Sequence, residues 1–170
     1  MSDGRVRVVM PRKTFYRLTG FLGEALEVLW RKRNEFPSRV GLTYQEARSL
    51  SDERLIIRYG LLGDERPFDR RTGRPYGPTK PRKTGTAWDA LPKMKAEILP
   101  GERLSLVLAR GELAIFANCV DVALEELAPT RSVGGENEFH SRIGISTREA
   151  EAFRDELRRL DRETRVQRSS

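Results

Sequence analysis

A nucleophile or a metal centre has little to draw on in this chain, which has one cysteine, Cys119, and one histidine, His140. A site built from several imidazoles is excluded, and any Ser-His-Asp or Cys-His arrangement has to use His140. Cys119 stands between Phe116 and Val120 on the apolar side of a predicted helix. A free cysteine there packs as a small hydrophobe, and a single cysteine forms no internal disulfide. Neither a nucleophile elbow nor a phosphate-cradling glycine loop occurs. Paired carboxylates such as Glu35 and Glu138 suit acid–base work in principle, yet nothing in the sequence sets one apart from another. No catalytic residue, metal ligand or cofactor is therefore assigned, and a binding or regulatory protein is expected over an enzyme.

The residues favour recognition of anions instead. The formal charge is +7, and of the 32 basic residues only six are lysines (Lys13, Lys32, Lys80, Lys83, Lys93 and Lys95). An arginine-rich surplus suits an acidic protein surface, nucleic acid or phosphate. It is equally what a GC-rich genome gives. The densest basic stretch is Gly60–Trp88, with seven arginines and lysines against three acidic residues, four prolines and five glycines. Arg70, Arg71, Arg74, Lys80, Arg82 and Lys83 are its candidate partner-binding residues. With Tyr76 interleaved, the stretch also has the composition of a nonspecific nucleic-acid binder. The alternative reading is a solvated loop.

A second set of candidates comes from an internal repeat. Asn34–Leu55 and Asn137–Arg158 align at a constant offset of 103 with ten identities in 22 positions, where chance gives roughly one or two. Both copies contain Asn-Glu-Phe-x-Ser-Arg, then Val40 or Ile143, then Gly41 or Gly144. A binding role makes Glu35, Arg39, Glu138 and Arg142 a charged surface shown twice. A purely structural role has Phe36 and Phe139 anchoring the core, the arginines pairing locally and the glycines making bends. In both copies a hydroxyl residue is followed three positions later by glutamate, Thr43 with Glu46 and Ser146 with Glu149, the signature of a capping box. Gly41 and Gly144 suit a positive-φ bend just before it.

The segments upstream align at an offset of 98, Val6–Leu29 with Leu104–Leu127. Each begins with alternating apolar residues (Val6, Val8, Met10; Leu104, Leu106, Leu108), the mark of a half-buried strand. A helix follows with apolar residues three and four apart: Phe15, Leu18, Leu22, Ala25, Leu26 and Leu29, matched by Leu113, Phe116, Val120, Ala123, Leu124 and Leu127. Further helices are expected to start near residues 44 and 147. A helix-turn-helix reading would put Arg142, Arg148, Arg154, Arg158 and Arg159 against phosphates. Against it, Pro37 sits where the preceding short helix should run.

The expected fold is α+β, an internal duplication of a strand–helix–connector–helix unit related by a pseudo-twofold axis, with a small sheet and packed helices. Repeat unit 1 covers residues 5–59, a basic linker rich in proline and glycine covers 60–103, and unit 2 covers 104–162. Units of some fifty residues bury too little alone, so the two are expected to share one core. The tail after Leu160 is expected to fray. The apolar run Val6–Met10 is too short for a signal peptide, and no stretch approaches the ~18 apolar residues of a membrane span. A cytoplasmic protein is expected, acting on an acidic protein surface first and nucleic acid second, without membrane contact, with a homo-oligomer left open.

Overall fold

A computed structural model describes residues 4–75, 77–128 and 133–169. The protein is α+β: a three-stranded antiparallel sheet and six α-helices among the described residues. Strand β1 (Val6–Pro11) leads into helix α1 (Arg12–Val28), a 3-10 turn Trp30–Glu35, the short α2 (Phe36–Arg39) and α3 (Tyr44–Ile56), which runs on into a π turn at Ile57–Leu61. After the basic stretch come β2 (Lys95–Leu99), β3 (Arg103–Leu108), α4 (Glu112–Leu127), α5 (Val133–Ile143) and α6 (Thr147–Ser169).

β3 is the central strand, flanked by β1 and β2. In the β1–β3 ladder Val8 faces Leu106, Val6 faces Leu108 and Met10 faces Leu104. Side chains alternate across a strand, so these six residues share the face that packs on the helices; Met10, Leu104, Leu106 and Leu108 are buried there. α1 packs on α3 and α4, and α4 packs on α6. The interior holds Phe15, Leu18 and Leu22 of α1, Leu50 of α3, and Phe116 and Val120 of α4. Phe21 of α1 stacks on Phe153 of α6, ring centres 6.1 Å apart.

The two aligned strings adopt the expected local geometry. Phe36 and Phe139 are both fully buried. Gly41 and Gly144 have φ of +95° and +86°, a region an L side chain enters only under strain. Thr43 accepts from the Glu46 amide at 3.1 Å while Glu46 accepts from the Thr43 amide at 2.9 Å, a complete capping box. Ser146 accepts from the Glu149 amide at 3.1 Å. Cys119 is buried, as expected, and burial pushes its thiol up to about 12, which leaves the reactive thiolate unpopulated.

Three expectations are corrected. Residues 60–103 are not linker throughout, because β2 lies inside them and extends the sheet beyond the repeated strands. Pro100-Gly101 makes the turn into β3, with φ of +78° at Gly101 and +55° at Glu102. Pro37 does not prevent a helix before Gly41. It sits in the first turn of α2, where a missing N–H leaves no bond unmade. The tail does not fray at Leu160: α6 continues to Ser169, supported by Arg159–Glu163 and Arg165–Asp161 pairs one turn apart. No helix among the described residues is long and apolar enough to cross a membrane.

Candidate anion-binding surface

The repeated arginines turn inward. Arg39, on α2, reaches Glu126 at 2.6 Å and Glu125 at 2.8 Å, both on α4. Arg142, on α5, reaches Glu24 at 2.7 Å and Glu27 at 3.2 Å, both on α1. Glu27 and Glu125 are themselves aligned positions, so each string ties itself to the long helix of the other half. The Arg39 hydrogen bond holds the Glu126 carboxyl below its usual range. Burial pushes Glu24 the other way, and Arg142 offsets only part of that. Glu35 lies 4.0 Å from Arg39, and Glu138 is exposed. Of the four charges expected as a displayed surface, both arginines thus act as braces between helices.

The basic stretch is anchored rather than loose at its C-terminal end. Asp52, buried on α3, accepts three bonds from Arg82: the amide at 2.9 Å, Nε at 2.7 Å and Nη2 at 3.1 Å. Asp89 gathers the amides of Thr84 and Gly85, which hold its carboxyl low. Thr86 donates to Glu46 at 2.9 Å. Trp88 is buried with its ring 3.8 Å from the Arg110 guanidinium carbon. Arg82 is therefore engaged in fastening the stretch to α3 and leaves the set of available cations.

Beneath Trp88 lies a buried ionic cluster that sequence reasoning missed. Arg110 bridges Glu53 at 2.7 Å and Glu112 at 2.9 Å, and all three side chains are at most 3% exposed. Glu112 also accepts from the amides of Ala109 and Arg110, and Glu53 from the amide of Met94 at 2.7 Å. Burial pushes the Glu53 carboxyl up, and Arg110 and the Met94 amide pull it back only in part. Such a cluster is tolerated only when nearly every lone pair and N–H is matched. The available signal was that Glu53 and Arg110 both fall at identities of the repeat. Their counterparts do otherwise: Glu156 lies exposed against Arg159, and Arg12 donates to the Leu62 carbonyl at 2.9 Å.

N-terminal to these anchors the stretch projects a hairpin. Phe68 and Pro75 form a β-bridge, and the Asp69 amide donates to the Arg74 carbonyl at 2.9 Å. The Asp69 side chain accepts from the Arg71 amide at 2.8 Å, an Asx turn. Gly73 closes the loop at φ +68°. At its foot Tyr59 lies between the guanidinium carbons of Arg58 and Arg66, 5.6 and 5.5 Å from its ring centre. Arg70, Arg71 and Arg74 are exposed at the hairpin, Lys80 and Lys83 are exposed beyond it, and none of the five has an ion-pair partner among the described residues. Phe68 beside them is 59% exposed. Tyr76, read above as an interleaved aromatic, lies outside the described residues.

Most arginines of α5 and α6 are already engaged. Arg154 and Arg158 are both held by Asp121, and Arg159 by Glu156 and Glu163. With Arg142 braced on α1, four of the five arginines assigned to phosphate contacts in the helix-turn-helix reading are already paired; Arg148 is the exception. α3 buries Ser49, Ser51, Asp52 and Glu53 as well as its apolar side, so two of its faces are covered. His140 is exposed, and among the described residues no group of three or more His, Cys, Asp or Glu is placed to hold a metal ion. Comparison with protein-family models finds no match, and comparisons with curated proteins and with solved structures find none either.

Proposed function

We propose that the chain is a non-enzymatic binding protein: a duplicated scaffold that presents the basic hairpin at Phe68–Pro75, with Lys80 and Lys83, to the phosphate backbone of a nucleic acid strand. The observation that carries this reading is the partition of charge. On α5 and α6 five of the seven arginines from Arg142 to Arg165 pair with carboxylates of the same chain, whereas Arg70, Arg71, Arg74, Lys80 and Lys83 of the basic stretch, a strap between α3 and β2, are exposed with no ion-pair partner among the described residues. An exposed phenylalanine among guanidinium groups supplies a stacking surface for a base, which an acidic protein surface would not use. That geometry favours nucleic acid over the acidic protein expected first from composition.

The duplication belongs to the same proposal. Val8 pairs with Leu106, its own aligned counterpart, and the register is symmetric on either side of that pair. The Arg39–Glu125 and Arg142–Glu27 braces exchange under the alignment. A pseudo-twofold axis through the Val8–Leu106 pair accounts for both, and β2 and the strap are then additions made on one side only.

The test is binding of a fluorescent ~20-nucleotide single strand across a salt series. Three to five phosphate contacts give a slope of about −2 to −4 in log K against log salt. Arg70→Glu, Arg71→Glu and Arg74→Glu combined should reduce affinity by about a hundredfold or more at low salt, with the unfolding midpoint unchanged. Unaltered binding by the triple variant would refute the reading.

A further inference from the structure

β1 lies at an edge of the sheet, and its outer side is open. The Arg12 amide donates to the Glu102 carbonyl at 2.8 Å, in line with the β1–β3 register. Bonded pairs alternate along an antiparallel ladder, so Val6, Val8 and Met10 turn their amides and carbonyls to β3. Arg7 and Val9 turn theirs away from it, where no described residue hydrogen-bonds to these backbone groups.

On β3 the same edge is filled. Ser105 and Val107, the aligned counterparts of Arg7 and Val9, face Glu97 and Lys95 of β2. The turn at Ile57–Leu61 lies against β2. α6 reaches the corresponding place beside β1, where Asp161 and Thr164 share a small pocket with Val6. An added strand would thus find on β1 what β2 finds on β3: outward amides, a helix alongside, and the half-buried Val6 and Val8 for its inward side chains.

Charge decides the occupant. Arg5, Arg7, Arg12 and Lys13 fall within residues 5–13, with no acidic residue among them. Glu97 stands opposite Ser105 and lies 3.8 Å from Arg7. An acid at the matching place of an added strand would stand opposite Arg7 itself and flank it from the other side. A second copy's β1 would instead bring another Arg7 to the same face, and its Pro11 would bring no N–H. Exposed charge and proline are devices by which edge strands resist their own kind. A cationic edge repels a copy of itself but not an acidic segment.

We infer that the free edge of β1 takes up an extended acidic segment of a partner protein as a fourth strand, antiparallel and bonded to Arg7 and Val9. The inference stands apart from the hairpin. The probe is a fluorescent, end-capped peptide, Glu-Val-Glu-Val-Glu-Val-Glu, added to the full chain and followed by anisotropy. It should bind saturably below about 1 mM. Binding should be at least about fivefold tighter than for the lysine analogue, or for a peptide of the same composition with its valines in one block. Val9→Pro removes an amide that points away from β3, so the unfolding midpoint should hold while affinity falls by about tenfold or more. Arg7→Glu should weaken the acidic peptide by about fivefold or more. The triple glutamate variant of the hairpin should bind it as the parent does, which separates this edge from the strap. No saturable binding to about 1 mM, equal binding by the parent and either β1 variant, or loss confined to the hairpin variant would overturn the assignment. So would a dimer of the parent at about 100 μM that Val9→Pro dissociates, since a second copy would then be the occupant.

Discussion

Arg110→Met should lower the stability of the fold by about 3–5 kcal/mol, because one cation that serves two buried carboxylates would be lost. Glu53 and Glu112 would then face each other with no positive charge between them, beneath a tryptophan that lost its guanidinium partner. The pH dependence of the variant is distinctive. Burial already pushes the Glu53 carboxyl up in the parent, and without Arg110 it rises further. A carboxyl whose folded value lies above its unfolded value costs stability at high pH. That cost shrinks as pH falls through the raised folded value towards the unfolded one, about 4.3. The variant should therefore regain part of its stability between about pH 7 and pH 5. Urea midpoints at both values measure this; a loss below about 1 kcal/mol at neutral pH would show that the cluster is dispensable.

Phe139→Ala and Phe36→Ala should each cost about 3–5 kcal/mol through lost burial and the cavity left behind. Both rings are fully buried at the head of the same string, just before a positive-φ glycine and a capped helix. Under the proposed duplication the two costs should agree to within about 1 kcal/mol, since each ring fills the matching position in its half. A large effect at one site with a negligible one at the other would contradict equivalent packing. Equilibrium unfolding of the two variants under identical conditions decides the matter.

The parts of the fold legible in the sequence were those fixed by local rules. Alternation in Val6–Met10 and Leu104–Leu108 marked β1 and β3, three-and-four spacing marked α1 and α4, and the capping signatures placed the starts of α3 and α6 to the residue. What escaped was set by tertiary contact. β2 is a five-residue edge strand with two charged residues, stabilised by pairing with β3 more than by any pattern of its own. The helical tail of α6 rests on ion pairs between successive turns, where composition alone suggested fraying.

At the candidate site the same division holds. Composition identified the basic stretch, but which of its cations remain available depends on distant partners: Arg82 is tied to Asp52, thirty residues away, while Arg70, Arg71 and Arg74 are exposed on a hairpin with no ion-pair partner among the described residues. Charge type alone could not separate Arg39 and Arg142, which brace helices, from residues that meet a partner. The burial of Glu53, Arg110 and Glu112 was likewise invisible, since charged residues are read as surface by default.

Backbone amide chemical shifts, followed while an unlabelled single strand is titrated into isotope-labelled protein, report directly on where an anionic partner lands. The largest changes should fall on residues 68–75, Lys80 and Lys83, with the surface of α3 and the N-terminal half of α6 undisturbed. Changes concentrated on those helices, with the hairpin silent, would contradict the strap as the binding surface.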